Sequence, residues 1–310
     1  MRRLRGAPFA PIDVPPRSPL PMAGGTSLRR GLFVRPLCAM VAALGYSVAV
    51  HAQTPSPLQE WQYSSGLILE RMFESQVPDI DAVLGAGAEV QPAYDGSRAY
   101  RVRGGPAIDV RYKDVAFIST GDGVGYNLVH RRGLELGVSL AYDLGRKERL
   151  DYGNLTGMGD KPISAVPKGF LTWVVSDRFP LVVRSDVRHL LRTGGGTVGD
   201  IGAYLPLPGS SPRFVAFLGP SVTVANRRYL RDLYGVTSEQ SMASGHPIYD
   251  VQNTGVEALG LGLSATWRLS RHYLLNVDGA VNRLGHEAAD SPLVERPSAR
   301  VLALSLDYHW

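Results

Sequence analysis

The chain has 310 residues, with 33 Lys and Arg against 28 Asp and Glu and a formal charge of +5. Residues 1–52 hold seven arginines and one aspartate, a net of +6, so the remaining 258 residues carry −1 and lack the basic excess that nucleic-acid binding requires. The single cysteine, Cys38, lies in that same stretch, which excludes a disulfide scaffold for the rest.

Residues 1–52 have the layout of an export signal. Arg29, Arg30 and Arg35 precede an apolar run from Leu37 to Val50, and Val50-His51-Ala52 offers small residues for cleavage before Gln53. The apolar run is too short to span a membrane as a helix, and no other segment approaches that length. The proline- and arginine-rich first 21 residues look unlike a signal, which makes Met22 a candidate start. Residues 53–80 are expected to form a separate periplasmic segment. Its Trp61 to Met72 stretch is compatible with one extra strand or a short amphipathic piece.

From residue 81 onward, short alternating segments recur. Leu134, Leu136, Val138, Leu140 and Tyr142 alternate with Glu135, Gly137, Ser139, Ala141 and Asp143, and Leu259 to Leu269 repeats the pattern. In the last nine residues Leu302, Leu304, Leu306, Tyr308 and Trp310 alternate with Ala303, Ser305, Asp307 and His309. A period of two gives each strand one apolar and one polar face. Strands are expected near 82–91, 104–112, 115–120, 123–129, 133–143, 164–175, 179–189, 197–205, 213–225, 256–268, 272–283 and 299–310. Their links alternate between short ones, such as 113–114 and 269–271, and mostly longer ones, such as 144–163 and 226–255.

Greasy outer faces, polar inner faces and loops segregated by length describe an all-β fold, a transmembrane antiparallel β-barrel of the bacterial outer membrane, with short periplasmic turns and long extracellular loops. The count is 12 strands, or 10 if 115–129 is one strand or an inserted loop. Trp310 is the terminal aromatic expected to serve the barrel assembly machinery. The location that follows is the outer membrane of a Gram-negative bacterium, with membrane lipids and lipopolysaccharide as surroundings.

The inward set supplies the candidate lumen charges: Glu89, Asp109, Arg111, Glu135, Asp143, Arg184, Asp186, Arg188, Arg268, Asp278 and Asp307. Their mixed sign favours ion pairing in a narrow or closed lumen over a one-sign selectivity ring; the alternative is an electrostatic filter for a small polar solute. In the 226–255 loop, Arg227, Arg228, Arg231 and Asp232 with Tyr229, Leu230 and Tyr234 suit a short helix or lid whose basic residues face lipopolysaccharide phosphates, although an ordinary solvated loop is favoured. Gly121-Asp122-Gly123 reads as a tight turn and Thr193-Gly194-Gly195-Gly196 as a flexible loop tip. His246, Asp250, His286 and Glu287 occupy long loops without nucleophile–base or metal-ligand spacing. No catalytic residue, metal or cofactor is therefore expected.

Ordered motifs carry a family resemblance. Pro92-Ala93-Tyr94-Asp95-Gly96-Ser97 resembles the P-x-Y-x-G-S motif of MipA/OmpV outer-membrane proteins, with Pro92, Tyr94, Gly96 and Ser97 as the matching positions. Gly121 to Asn127, Gly219 to Thr223, Tyr234-Gly235-Val236 with Ser241 to Gly245, and Asp290-Ser291-Pro292-Leu293-Val294 follow in order. The chain ends in Trp310 where the family more often has phenylalanine. The resemblance implies a non-enzymatic scaffold that links a membrane-bound lytic transglycosylase to a peptidoglycan synthase. Other members are porin-like, which keeps a narrow solute channel as the alternative.

Overall fold

The computed structural model describes residues 78–176, 180–192 and 194–310; the export signal, Cys38 and residues 53–77 lie outside these. Twelve strands form: β1 Ile80–Pro92, β2 Tyr100–Tyr112, β3 Ala116–Ser119, β4 Gly123–Arg131, β5 Leu134–Asp143, β6 Ser164–Val174, β7 Val182–His189, β8 Thr197–Pro206, β9 Phe214–Ala225, β10 Gly255–Arg268, β11 Tyr273–Leu284 and β12 Ser298–His309. Each pairs antiparallel with its sequence neighbours, and β1 pairs with β12 to close the barrel. No helix among the described residues is long and apolar enough to cross a membrane.

Closure runs from Val83↔His309 to Val90↔Leu302, and the Trp310 backbone N–H adds a bond to the Ala82 carbonyl at 3.0 Å. Every alternate side chain therefore faces out over an edgeless wall, as a membrane-spanning sheet requires. Leu136, Val138 and Leu140 on β5, Leu259, Leu261 and Leu263 on β10, and Leu302, Leu304 and Leu306 on β12 are all exposed. At the short-turn end Tyr112, Trp173, Trp267, Tyr273 and Trp310 surround the wall. Phe214 packs on Trp267 with ring centroids 4.4 Å apart, and Tyr308 on Trp310 at 4.6 Å. An aromatic belt over an apolar band is the outer face of a transmembrane barrel.

The count of twelve holds because 115–129 is a true hairpin. Ala116↔Tyr126 to Ser119↔Gly123 pairs β3 with β4, and Gly123 makes the turn at φ +73. The hairpin is short, reaching β2 only from Tyr112 to Ile108, where Thr120 bonds the Ile108 backbone. Beyond it β2 runs on to Tyr100, four residues earlier than the alternation indicates, and the first long loop shrinks to 93–99. Pro106, which has no N–H to donate, sits in this one-sided stretch.

Helices occur among the long loops: α1 Tyr152–Leu155, α2 Arg227–Tyr234, α3 Ser238–Ser244 and α4 His286–Ala289. The 226–255 segment is thus not an ordinary solvated loop. Asn226 caps α2 by accepting from the Tyr229 N–H, and Thr237 with Gln240 forms a capping box on α3. Tyr229, Leu230, Leu233 and Tyr234 are buried while Arg227, Arg228 and Arg231 stay exposed, an apolar stripe at helical spacing.

Candidate functional site

The interior and the long-loop end hold the residues with chemistry. Along the inner wall, Arg111 lies between Asp109 at 3.1 Å and Glu135 at 3.3 Å, with its guanidinium 5.2 Å from the Phe117 ring centroid. Lys168 pairs with Asp122 at 2.8 Å, and Arg188 pairs with Asp186 at 3.0 Å and with Asp200. Glu89 accepts from Gln91. Asp307 accepts from Asn276 at 2.7 Å and Ser305 at 2.6 Å, and buried Asp278 follows two residues after Asn276 on β11. Arg184 and Arg268 are half-buried on the same inner face. Burial of ions in such a wall is tolerable where each meets an opposite charge or a donor.

At the mouth, α2 is seated inside the rim. Its four apolar side chains pack with Ala141 of β5, Val166 of β6, Leu190 after β7, Val198 of β8, Ala225 of β9, Val251 and Ala288 of α4. A polar latch holds it. Asp232 accepts from Arg192 at 3.0 Å and Lys161 at 2.9 Å, and Arg192 also pairs with Asp143. Burial alone would lower the Arg192 guanidinium, but Asp143 and Asp232 reverse this and raise it. Arg146 donates to the Leu233 carbonyl at 3.0 Å, and the Tyr234 hydroxyl donates to Glu257 at 3.0 Å. Burial, reinforced by Glu257, raises the Tyr234 hydroxyl well above its ordinary value.

Behind α2 three of the motif segments meet. The Tyr94 hydroxyl donates to the Leu293 carbonyl at 2.9 Å, where the Asn154 amide joins it at 2.8 Å. Ser97 donates to Asp151 at 3.1 Å, and the Gly96 carbonyl accepts from the N–H groups of Glu295 and Arg296. Gly96 has φ +100, and a Cβ there would stand 2.7 Å from a Val294 methyl carbon, so only glycine fits. Ser291 donates to the Tyr234 carbonyl at 2.6 Å, and Leu293 packs with Val236 and Met158. Asp290 pairs with His286, while Pro92 is the buried last residue of β1. Burial pushes the Tyr94 hydroxyl up to about 12. Burial also pushes the Asp95 carboxyl up to about 6, against the opposing pull of Arg103 and Arg146.

The loop histidines and acids do not converge. His246 Nε2 lies 2.9 Å from the Asn154 carbonyl, and Asp250 pairs with Arg227 at 3.2 Å. The Glu287 backbone carbonyl accepts from Tyr249, and its carboxylate from Asn253. The glycine tip is also different from its sequence reading. Gly195 and Gly196 are buried, and a Cβ on Gly196 would stand 2.3 Å from the Tyr229 nitrogen, so the backbone lies tight under α2.

Several participants escape the sequence reading. Lys168 and Asp200 do lie in phase on β6 and β8, so their alternation could have placed them. Glu257 could not be placed that way, because a bulge between Val256 and Ala258 turns it inward against the phase of β10. Arg192 and Lys161 sit outside the strands, where no period applies, whereas Asp232 belongs to the 226–255 set that the sequence places in a short helix or lid.

A family model described as MltA-interacting protein MipA matches residues 84–310. No curated protein matches the chain. Among solved structures, the NanC porin is 9% identical, with a TM-score of 0.38 over 74% of this chain and 98% of its own. The toluene transporter TodX of Pseudomonas putida is 8% identical, with a TM-score of 0.34 over 83% and 94%. The N-terminal barrel domain of Pseudomonas aeruginosa OprF is 7% identical, with a TM-score of 0.26 over 76% and 100%.

Proposed function

Because this chain belongs to the MltA-interacting protein MipA family, we propose that it is a non-enzymatic outer-membrane barrel that holds a lytic transglycosylase and a peptidoglycan synthase at the inner surface of the outer membrane. Family membership across nearly the whole barrel carries this reading. The transmembrane wall supplies the anchor. The short-turn end, with exposed Lys113, Arg131, Arg132 and Arg271, supplies a basic contact face on the periplasmic side. The long-loop end then faces the exterior.

The test is capture of purified lytic transglycosylase and peptidoglycan synthase by the mature barrel in nanodiscs. Binding of each, weakened when the short-turn arginines are replaced, supports the scaffold. No binding of either enzyme at micromolar concentration sinks it. The second reading, a narrow channel for small polar solutes, draws on the charged inner wall. Single-channel conductance of the refolded protein tests it. The seated α2 favours a silent resting barrel.

A further inference from the structure

Within the twelve strands every Asp, Glu, Lys and Arg faces the interior except three arginines. Arg131 ends β4 at the short-turn end. The other two, Arg283 of β11 and Arg300 of β12, are exposed on the outer face near the long-loop end. Register makes them neighbours: Arg283 opposes Ser298 and Arg300 opposes Val281. Such diagonal positions lie roughly 7–8 Å apart, within reach of one shared anion.

Their height matters. Tyr273, in the aromatic belt, and Arg283 lie at the two ends of β11. Ten residues of strand are roughly 33 Å, or about 25 Å of height at the usual tilt, the thickness of the apolar band of such barrels. The arginines therefore stand at the level of lipid headgroups, with Leu302 and Leu304 exposed below them and Val281 exposed opposite Arg300. Gly279 presents no side chain on the wall beneath, where a Cβ would meet only ordinary contacts, the Val301 carbonyl at 3.8 Å and Leu302 Cδ1 at 4.0 Å. Among the described residues neither guanidinium has an ion-pair or hydrogen-bond partner. The carboxylates of the adjoining loop are engaged elsewhere, Glu295 with the Arg98 N–H and Asp290 with His286.

We propose that Arg283 and Arg300 form a clasp for a lipid phosphate, and that its occupant is the phosphorylated glucosamine headgroup of lipopolysaccharide. Paired planar guanidiniums match phosphate oxygens, and the apolar wall below accepts acyl chains. The choice of lipopolysaccharide rests on the proposed exterior orientation of the long-loop end.

Native mass spectrometry of the mature barrel in detergent, titrated with bis-phosphorylated lipid A, its dephosphorylated form and phosphatidylglycerol, tests the clasp. Bis-phosphorylated lipid A should bind preferentially, and Arg283→Gln with Arg300→Gln should weaken it roughly tenfold or more. Undiminished binding by the double variant overturns the proposal, as does equal or better binding of phosphatidylglycerol. Heat-modifiable gel mobility reports folding of each variant, and the single replacements serve if the double one does not fold. Protease cleavage of the 226–254 segment on intact cells tests orientation separately, so a failure there is distinguishable from a failure of the clasp.

Discussion

Tyr94 and Leu293, 199 positions apart, are joined by a hydrogen bond from the tyrosine hydroxyl to the leucine carbonyl at 2.9 Å. The bond ties the first loop of the barrel to the last. Its removal leaves the carbonyl with the Asn154 amide, so no acceptor is orphaned. Tyr94→Phe should therefore cost about 0.5–1.5 kcal/mol. The temperature at which heat-modifiable mobility is lost should fall modestly, and an unchanged midpoint would show that the loops hold without this bond.

Arg192 sits between Asp143 and Asp232. Arg192→Ala leaves two buried carboxylates facing each other, a loss of about 3–5 kcal/mol for broken buried pairs, tempered by Lys161 on Asp232. The strain falls on the seat of α2 rather than on the wall. Protease cleavage within 226–254 should accelerate while the barrel stays intact. If α2 stops a channel, conductance should also appear in this variant.

Leu230 is fully buried under α2, whereas Arg228 is exposed. Leu230→Ala should destabilise the seat by about 2–5 kcal/mol, and Arg228→Ala should change stability by less than about 0.5 kcal/mol. Comparable effects of the two on protease resistance of the segment would contradict the assigned helix orientation.

Asp95 provides a pH dependence. Its carboxyl is pushed by burial from 3.8 to about 6. A raised acid contributes stability that is fully present below its unfolded value and lost as pH rises through the folded one. Between pH 4 and pH 7 this group should withdraw about 1–3 kcal/mol, a net value in which Arg103 and Arg146 already oppose burial. Asp95→Asn should flatten that part of the profile and raise the unfolding midpoint at pH 7 but not at pH 4. A parallel shift at both pH values would assign the effect to packing.

Trp310 closes the belt against Tyr308 and bonds Ala82 through its backbone. Its deletion should reduce the yield of folded, heat-modifiable barrel in the membrane, and Trp310→Phe should restore it. Normal yield after deletion would remove the role given to the terminal aromatic.

The strands, their inward and outward faces and the unequal lengths of the links were determined by the sequence alone. Each follows from a period of two and from local turn chemistry. The glycines at 121 and 123 marked a tight turn but left ten strands open, and only the pairing of β3 with β4 decided for twelve. Which charges meet was decided only by the tertiary structure. Arg192 finds Asp143 and Asp232 at separations of 49 and 40 residues, and no local pattern encodes such a distance. The bulge that turns Glu257 inward, the seating of α2 over Gly196, and the register that sets Arg283 beside Arg300 likewise depend on how neighbouring elements align. Periodicity states which way a side chain points, and only pairing across the closed wall states what it points at.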